Sequence, residues 1–353
     1  YGLATQTNNF VIAKGDQTIS FSSLGTKYLD EGSFTLNGTA SSGLTVSYTS
    51  SNTNVATVSG STVTLKSVGT TTITASQAGD SNWNAAANVP QTLTVQARDT
   101  DGDGVLDSRE IADGTNPNSS SSFNPLSKGL VAYYPFDGNA NDESGNGRHG
   151  VPQNTSLVTD RKGQLNGAYT FNKTSGRVVA DYVGWPGGNS DRTVSLWVKC
   201  DSIMHGNLFT FGDGTRDNTR FSLFFSSEGV SFIGEGNDAG AFWPGDLNGA
   251  GWHQLAITWQ SGVGRIFFDG TLLGEFSKTL NTDGSMPLVI GSNSLTRNSE
   301  FFEGLLDDAR VYSRALSSIE VGQLYQQEAG NLDTDGDGLS DAWERGYGRY
   351  QIV

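Results

Sequence analysis

Apolar and polar residues alternate with a period of two along most of this chain, which predicts strands with one face buried and one wet. From about Gln17 to Val95 the pattern is clearest in Thr62-Val63-Thr64-Leu65-Lys66 and Thr71-Thr72-Ile73-Thr74-Ala75, with Gly60 and Gly69 as punctuation. Short strands at this spacing, joined by Gly, Ser and Asn turns, read as a small sandwich. A second sandwich is expected from about Ser127 to Gln327. There Val194, Leu196 and Val198 alternate, as do Leu255, Ile257 and Trp259, and Phe268-Asp269-Gly270-Thr271 places a hairpin dipeptide between apolar runs. Only its end breaks the period: Ser317 and Glu320 form a capping box ahead of Val321, Leu324 and Tyr325, which share one helix face, so a short helix should close the domain.

Two copies of one acidic motif, D-T-D-G-D-G-x-x-D-x-x-E, interrupt this alternation. A hard cation bound through oxygen needs carboxylates at loop positions one, three, five, nine and twelve, and a glycine at six for the sharp bend. In the first copy the spacing assigns carboxylate ligands to Asp99, Asp101 and Asp103, a backbone carbonyl to Val105, direct or water-mediated contact to Asp107 and a bidentate carboxylate to Glu110. The second repeats these roles in Asp333, Asp335, Asp337, Leu339, Asp341 and Glu344. Oxygen-only ligands favour Ca2+ over zinc, and many ligands in a flexible loop favour it over magnesium. Without the ion the carboxylates repel one another; with it, a hinge becomes a strut.

Composition narrows the class. At 353 residues the chain has room for two or three domains, and 46 Gly with 17% charged residues suits many strands and tight turns, an all-β chain. The net charge is −15, and the two motifs hold ten of the 37 acids. An acidic chain with only 22 Lys plus Arg excludes nucleic acid and anionic membrane as partners, and no apolar run is long enough for membrane insertion. Cys200 is the sole cysteine, in a strand-like run, and is expected to be a buried thiol. Calcium can supply the cross-linking that a secreted chain otherwise gets from cystine. The chain starts at Tyr1 without Met and stops just past a metal loop, as expected for a piece of a larger protein.

Resemblances add to this reading. The segment Val46 to Val95, with Ser-Asn-Thr-Asn-Val-Ala-Thr-Val-Ser-Gly and Gly-Thr-Thr-Thr-Ile-Thr-Ala-Ser-Gln-Ala-Gly-Asp, resembles bacterial immunoglobulin-like repeats, which are mostly spacers. Because the first acidic loop follows directly on strand-like Thr92 to Gln96, it lacks the entering helix of an EF-hand; with Glu110-Ile111-Ala112-Asp113-Gly114-Thr115-Asn116-Pro117 it resembles bacterial thrombospondin type 3 repeats. Residues Gly129 to Asn139, Thr193 to Lys199, Trp252-His253, Phe267 to Gly270 and Leu306 to Leu316 resemble a laminin G-like, concanavalin A-like jelly roll. The implied architecture is an immunoglobulin-like domain (1–97), a calcium linker (98–126), a jelly roll (127–328) and a second linker (329–353) leading toward a further, lectin-like domain.

That jelly-roll resemblance implies binding of carbohydrates or proteins, often beside a structural calcium, for which Asp137 and Asp307 are the candidates, with Asp308 and Asn139 behind them. The alternative is a turn at Asp137 and backbone hydrogen bonds from Asp307 and Asp308. For sugar stacking, Trp185 and Phe242-Trp243 stand in loop-like context and are the platform candidates; packing against nearby Pro and Gly is the alternative. Trp197, Trp252 and Trp259 are read as core. The chain has no paired-carboxylate E-x-D-x-x-E run, no G-x-S-x-G elbow, and only scattered His149, His205 and His253, so no enzyme is expected. The expected whole is a monomeric, non-enzymatic, calcium-binding segment of an extracellular or cell-surface bacterial protein that binds glycans or surface proteins of a host or substrate cell. The alternatives are an accessory region of a secreted polysaccharide-degrading enzyme and a purely structural stalk.

Overall fold

The computed structural model describes residues 13–199, 206–212, 214–226, 229–242, 251–295 and 297–330. The chain divides into two compact units, Tyr1–Gln96 and Ala97–Val353, and the stretch expected as a linker, 98–126, falls in the second. The fold is all-β apart from a few short helical segments. No helix among the described residues is long and apolar enough to cross a membrane.

The first unit is a two-sheet sandwich. A four-stranded sheet runs Gly25–Tyr28, Val89–Gln96, Gly69–Ser76, Ser47–Ser50, and a three-stranded sheet runs Ser33–Thr35, Thr62–Leu65, Ala56–Ser59. Alternation along Thr62–Leu65 and Gly69–Ser76 turns Val63, Leu65, Ile73 and Ala75 into one shared core with Leu93 and Val95, while the intervening threonines face outward. Gly69, at φ +142°, marks the point where Val55 Cγ2 would lie 2.9 Å from any Cβ, so a side chain there would push into the core.

In the second unit, an eight-stranded antiparallel sheet runs Ser156–Val158, Ala168–Phe171, Gly304–Tyr312, Arg192–Lys199, His253–Gln260, Val263–Phe268, Thr271–Ser277, with Leu130–Tyr134 also paired to Gly304–Tyr312. A seven-stranded sheet runs Val151–Gln153, Arg177–Ala180, Leu288–Ile290, Gly206–Phe211, Phe221–Ser226, Gly229–Ile233, Ala239–Phe242. Val194, Leu196, Leu255 and Ile257 of the first share a core with Phe209, Phe221, Leu223 and Phe232 of the second. Trp259 is the junction, edge-on to Phe221 at 6.2 Å and stacked on Phe232 at 5.7 Å. Such pairs add about 0.5–1.5 kcal/mol beyond the area they bury. The Asp269-Gly270 turn has φ of +47° and +72°, the pair of left-handed residues that a type I′ hairpin turn requires.

The outer face of the eight-stranded sheet is not wet at its centre, contrary to a simple period of two. Thr193, Ser195 and Trp197 are as buried as Val194 and Leu196. The cover is helix α2 (Ser318–Ala329), whose Tyr325 stacks on Trp197 at 5.6 Å. Its start follows the capping box: Ser317 Oγ accepts from Glu320 N at 3.2 Å and Glu320 Oε2 accepts from Ser317 N at 2.8 Å. Ser317→Ala should therefore lower the stability of this unit by about 1 kcal/mol. A urea-unfolding midpoint equal to wild type would show that packing alone holds α2.

Candidate functional site

The first acidic loop is built by its own backbone. Asp99 accepts from Gly102 N at 2.8 Å and from Gly104 N at 3.1 Å; Asp101 accepts from Asp103 N at 3.2 Å, and Asp103 from Val105 N at 2.8 Å. These turns aim the carboxylates of Asp99, Asp101 and Asp103 at one place, with one oxygen of each within 4.8 Å of the others. Gly104 takes φ +90°, the bend a side chain would resist. Val105 is buried, and the next residues enter helix α1 (Asp107–Asp113), which carries Glu110 inward until it is 0% exposed.

Four buried oxygens in this loop, Asp101 Oδ2, Asp103 Oδ2 and both of Glu110, have no hydrogen-bond partner. Burial, followed by the charges of Asp101, Asp103, Asp107 and Asp99, pushes the Glu110 carboxyl above its ordinary value. The oxygens of Asp99, Asp101 and Asp103 converge, and Glu110, outside that 4.8 Å group, is near enough to feel their charge; such oxygen donors fit a hard divalent cation and offer nothing to a soft one. Asp107 is used differently: its two oxygens accept from Thr100 N at 2.7 Å and Thr100 Oγ1 at 2.5 Å, closing the loop onto itself. Thr100 was missed as a functional residue, although its counterpart Thr334 in the second motif signalled it. The second motif, Asp333, Asp335, Asp337, Leu339, Asp341 and Glu344, lies outside the described residues, as do Cys200 and His205.

The loop is fastened to the jelly-roll body. Gly129 N donates to Gly104 O at 3.4 Å, and Arg109 on α1 lies 5.8 Å from the Tyr133 ring centre and donates to Ser127 Oγ at 3.3 Å. Ser108 Oγ would sit 2.3 Å from a Cβ at Gly145.

The structure does not join Asp137 and Asp307 into a second oxygen cluster; among the described residues the only group of three or more metal-ligating side chains is Asp99, Asp101 and Asp103. Asp137 is exposed and accepts from Gln164 Nε2 at 2.7 Å. Asp307 is buried against Arg161, which also pairs with Asp308. The guanidinium supplies there the positive charge a cation would bring, and it lies 4.5 Å from the centre of the Trp197 ring. Burial and the adjacent Asp308 push the Asp307 carboxyl well up, whereas at Asp308 burial is outweighed by Arg310, Arg161 and the Tyr133 hydroxyl, which hold it below the usual range. Around them Arg310 pairs with Glu328 of α2, and Glu328 Oε2 accepts from Trp197 Nε1 at 2.5 Å and Gln254 Nε2 at 2.7 Å.

The aromatic platform reading needs correction at Trp185. Its ring is 3% exposed, packed into the core and capped by Arg148 at 4.9 Å, so it offers no open face to a sugar. Phe242 ends the edge strand Ala239–Phe242, its backbone paired with Gly229, and Trp243 lies outside the described residues. Trp197, Trp252 and Trp259 are buried. His149 Nδ1 accepts from Asp142 N, and His253 pairs with Asp269 at 2.8 Å.

Residues 172–322 match the family model described as the concanavalin A-like lectin/glucanases superfamily, and residues 99–120 and 333–348 match the bacterial TSP3 repeat. These are the jelly-roll and calcium-repeat types that the sequence resembles. Among curated proteins none matches this chain. Similar solved structures include domain 4 of AbnA, an extracellular arabinanase from Geobacillus stearothermophilus in complex with arabinotriose, at 19% identity and TM-score 0.45, covering 56% of this chain and 98% of that one. The binding domain of Paraclostridial Mosquitocidal Protein 1 (16%, 0.46, 57% and 53%) and that of botulinum neurotoxin serotype D (13%, 0.45, 58% and 53%) are also similar. The chain thus spans about half the length of the two toxin domains.

Proposed function

We propose that this chain is a calcium-binding, non-enzymatic segment of a secreted or cell-surface bacterial protein, whose jelly roll binds carbohydrate and whose acidic loops set the orientation of that module. The observation that carries the calcium reading is the set of buried carboxylate oxygens on Asp101, Asp103 and Glu110 that no donor satisfies. Asp99, Asp101, Asp103 and Glu110 would hold the ion, with Val105 offering its carbonyl; the ion supplies the charge that lets these acids share one turn. Arg109 and Gly104, both in contact with the jelly-roll body, tie the loop's shape to that module. Extracellular modules of this ligand type bind calcium with dissociation constants of about 10⁻⁴ to 10⁻³ M, a range filled outside cells and empty in cytosol. The match of residues 172–322 to a lectin/glucanase superfamily supports the carbohydrate part, and adhesion is the role this reading assigns to it.

Calorimetric titration tests the first part: two calcium ions per chain are expected, one for each motif, with magnesium weaker. No heat with millimolar calcium would end it. A glycan array read in calcium tests the second, and a chain that captures no glycan at high concentration would be a stalk rather than an adhesin.

A further inference from the structure

A recess of about 270 Å³ opens on the outer side of the seven-stranded sheet. Phe224 and Ile233 line it from neighbouring strands, since Phe224 pairs with Ser231 and Ser222 with Ile233, which puts both side chains on the face opposite core residues Leu223 and Phe232. Arg220, Glu235, Arg297 and Glu300 surround this apolar patch. Arg220 is 2% exposed; its Nη2 donates to Asn207 Oδ1 at 2.8 Å and to Glu300 Oε2 at 2.9 Å, its Nη1 is 3.6 Å from Glu235, and its buried Nε has no partner. Arg297 reaches Glu235 at 2.8 Å. A buried donor left unmatched costs about 1–3 kcal/mol.

The backbone is also held in costly shapes here. Glu235 and Glu300, two carboxylates of the recess, sit at φ +62° and +54°, a region a non-glycine residue occupies at about 1–3 kcal/mol each. Gly214 keeps the space beside Glu235 open, because a Cβ there would lie 3.0 Å from Glu235 Oε2. An orphaned guanidinium nitrogen and two left-handed glutamates thus meet at one recess.

We propose that this recess binds one ring of a neutral glycan, independently of calcium; the proposal rests on the carbohydrate-binding reading above and locates it. Phe224 and Ile233 present a small apolar floor for the C–H face of a sugar, while the planar carboxylate and guanidinium groups can each serve two neighbouring hydroxyls. The volume is just below the ~300 Å³ at which small-molecule pockets begin, which fits a single ring with its chain passing outside. Charge selects against acidic sugars: Glu235, Asp238 and Glu300 face two guanidinium groups, and both of those already pair with carboxylates. A uronate or sulfate would meet an unpaired negative charge.

The test uses the full chain and two panels, neutral gluco-, galacto-, manno-, xylo- and arabino-oligosaccharides, and oligogalacturonate with heparin oligosaccharides. Phe224→Ala and, separately, the more exposed Arg297→Ala are compared with wild type, each checked for an unchanged melting temperature; Arg220 is left intact because its loss could unfold the sheet. The expected result is neutral-glycan binding that survives EDTA and weakens about tenfold or more in both variants, a loss of ~1.4 kcal/mol. Neutral binding untouched by both substitutions, or abolished by EDTA in a protein that stays folded, overturns this site while leaving the carbohydrate reading in place. Capture of acidic glycans alone overturns the ligand class. Capture of no glycan overturns both.

Discussion

Arg161→Ala is expected to destabilise the second unit by about 3–5 kcal/mol, the cost of leaving a buried charge without its partner. The magnitude follows from position. Both guanidinium ends are committed, one to Asp307 and one to Asp308, and the arginine side chain is 0% exposed, so water cannot take over the pairing. The ring of Trp197 beneath it would also lose a contact at 4.5 Å. The pH dependence has a definite sign. Asp307 already has a raised folded pKa; removing Arg161 raises it further and moves Asp308 up from its depressed position, so the folded variant holds protons on Asp307 that its unfolded chain does not. Its deficit therefore grows as pH rises above the unfolded carboxylate range and shrinks as pH falls back toward it. Urea unfolding at pH 7.5 and at pH 5 measures this. A loss under 1 kcal/mol, or one independent of pH, would mean that solvent reaches the acids. Replacing Arg161, Asp307 and Asp308 together by apolar residues should recover most of the loss, because no charge is then stranded.

The acidic loop was legible because all its determinants lie within a dozen residues: spacing alone places Asp99, Asp101, Asp103 and Glu110, and Gly104 at the bend. The sandwiches were legible for a similar reason, since a strand's inner face repeats every second residue. What alternation cannot reveal is whether the other face is covered. Trp197 falls on the outward parity of its strand, and its cover comes from far along the chain, from Arg161 and from α2 more than a hundred residues later. The ionic cluster is less legible still. Arg161 meets Asp307 across 146 residues of sequence, so no local spacing announces the pair, and an aspartate that looks like a calcium ligand proves to be an arginine partner. Trp185 misled through its glycine- and proline-rich setting: the loop folds inward and Arg148 covers the ring. The recess around Arg220 draws on residues 220 to 300, from three separate stretches, and its strongest marks, a partnerless nitrogen and two left-handed glutamates, exist only in three dimensions.

Glu110→Gln should have opposite effects with and without calcium. In the metal-free protein the buried carboxylate has no donor and four acidic neighbours, which raise its folded pKa above the unfolded value. A carboxyl shifted in that direction costs nothing well below its unfolded pKa and most above its folded pKa. The neutral amide escapes that cost, so in EDTA at neutral pH the variant should melt higher than wild type, and the two should converge as pH falls. Calcium reverses the order. Glutamine cannot offer two charged oxygens, so the affinity of this loop should drop by at least the ~10–100-fold seen when even an outer partner of a metal ligand is removed. Ligand-linked stabilisation then fades in the variant at calcium levels that still saturate wild type. Thermal melts in EDTA and in millimolar calcium, with calorimetry counting the sites, separate the two effects. If Glu110→Gln lowered the melting temperature equally in both conditions, the side chain would be a packing element and not the ligand that closes the loop.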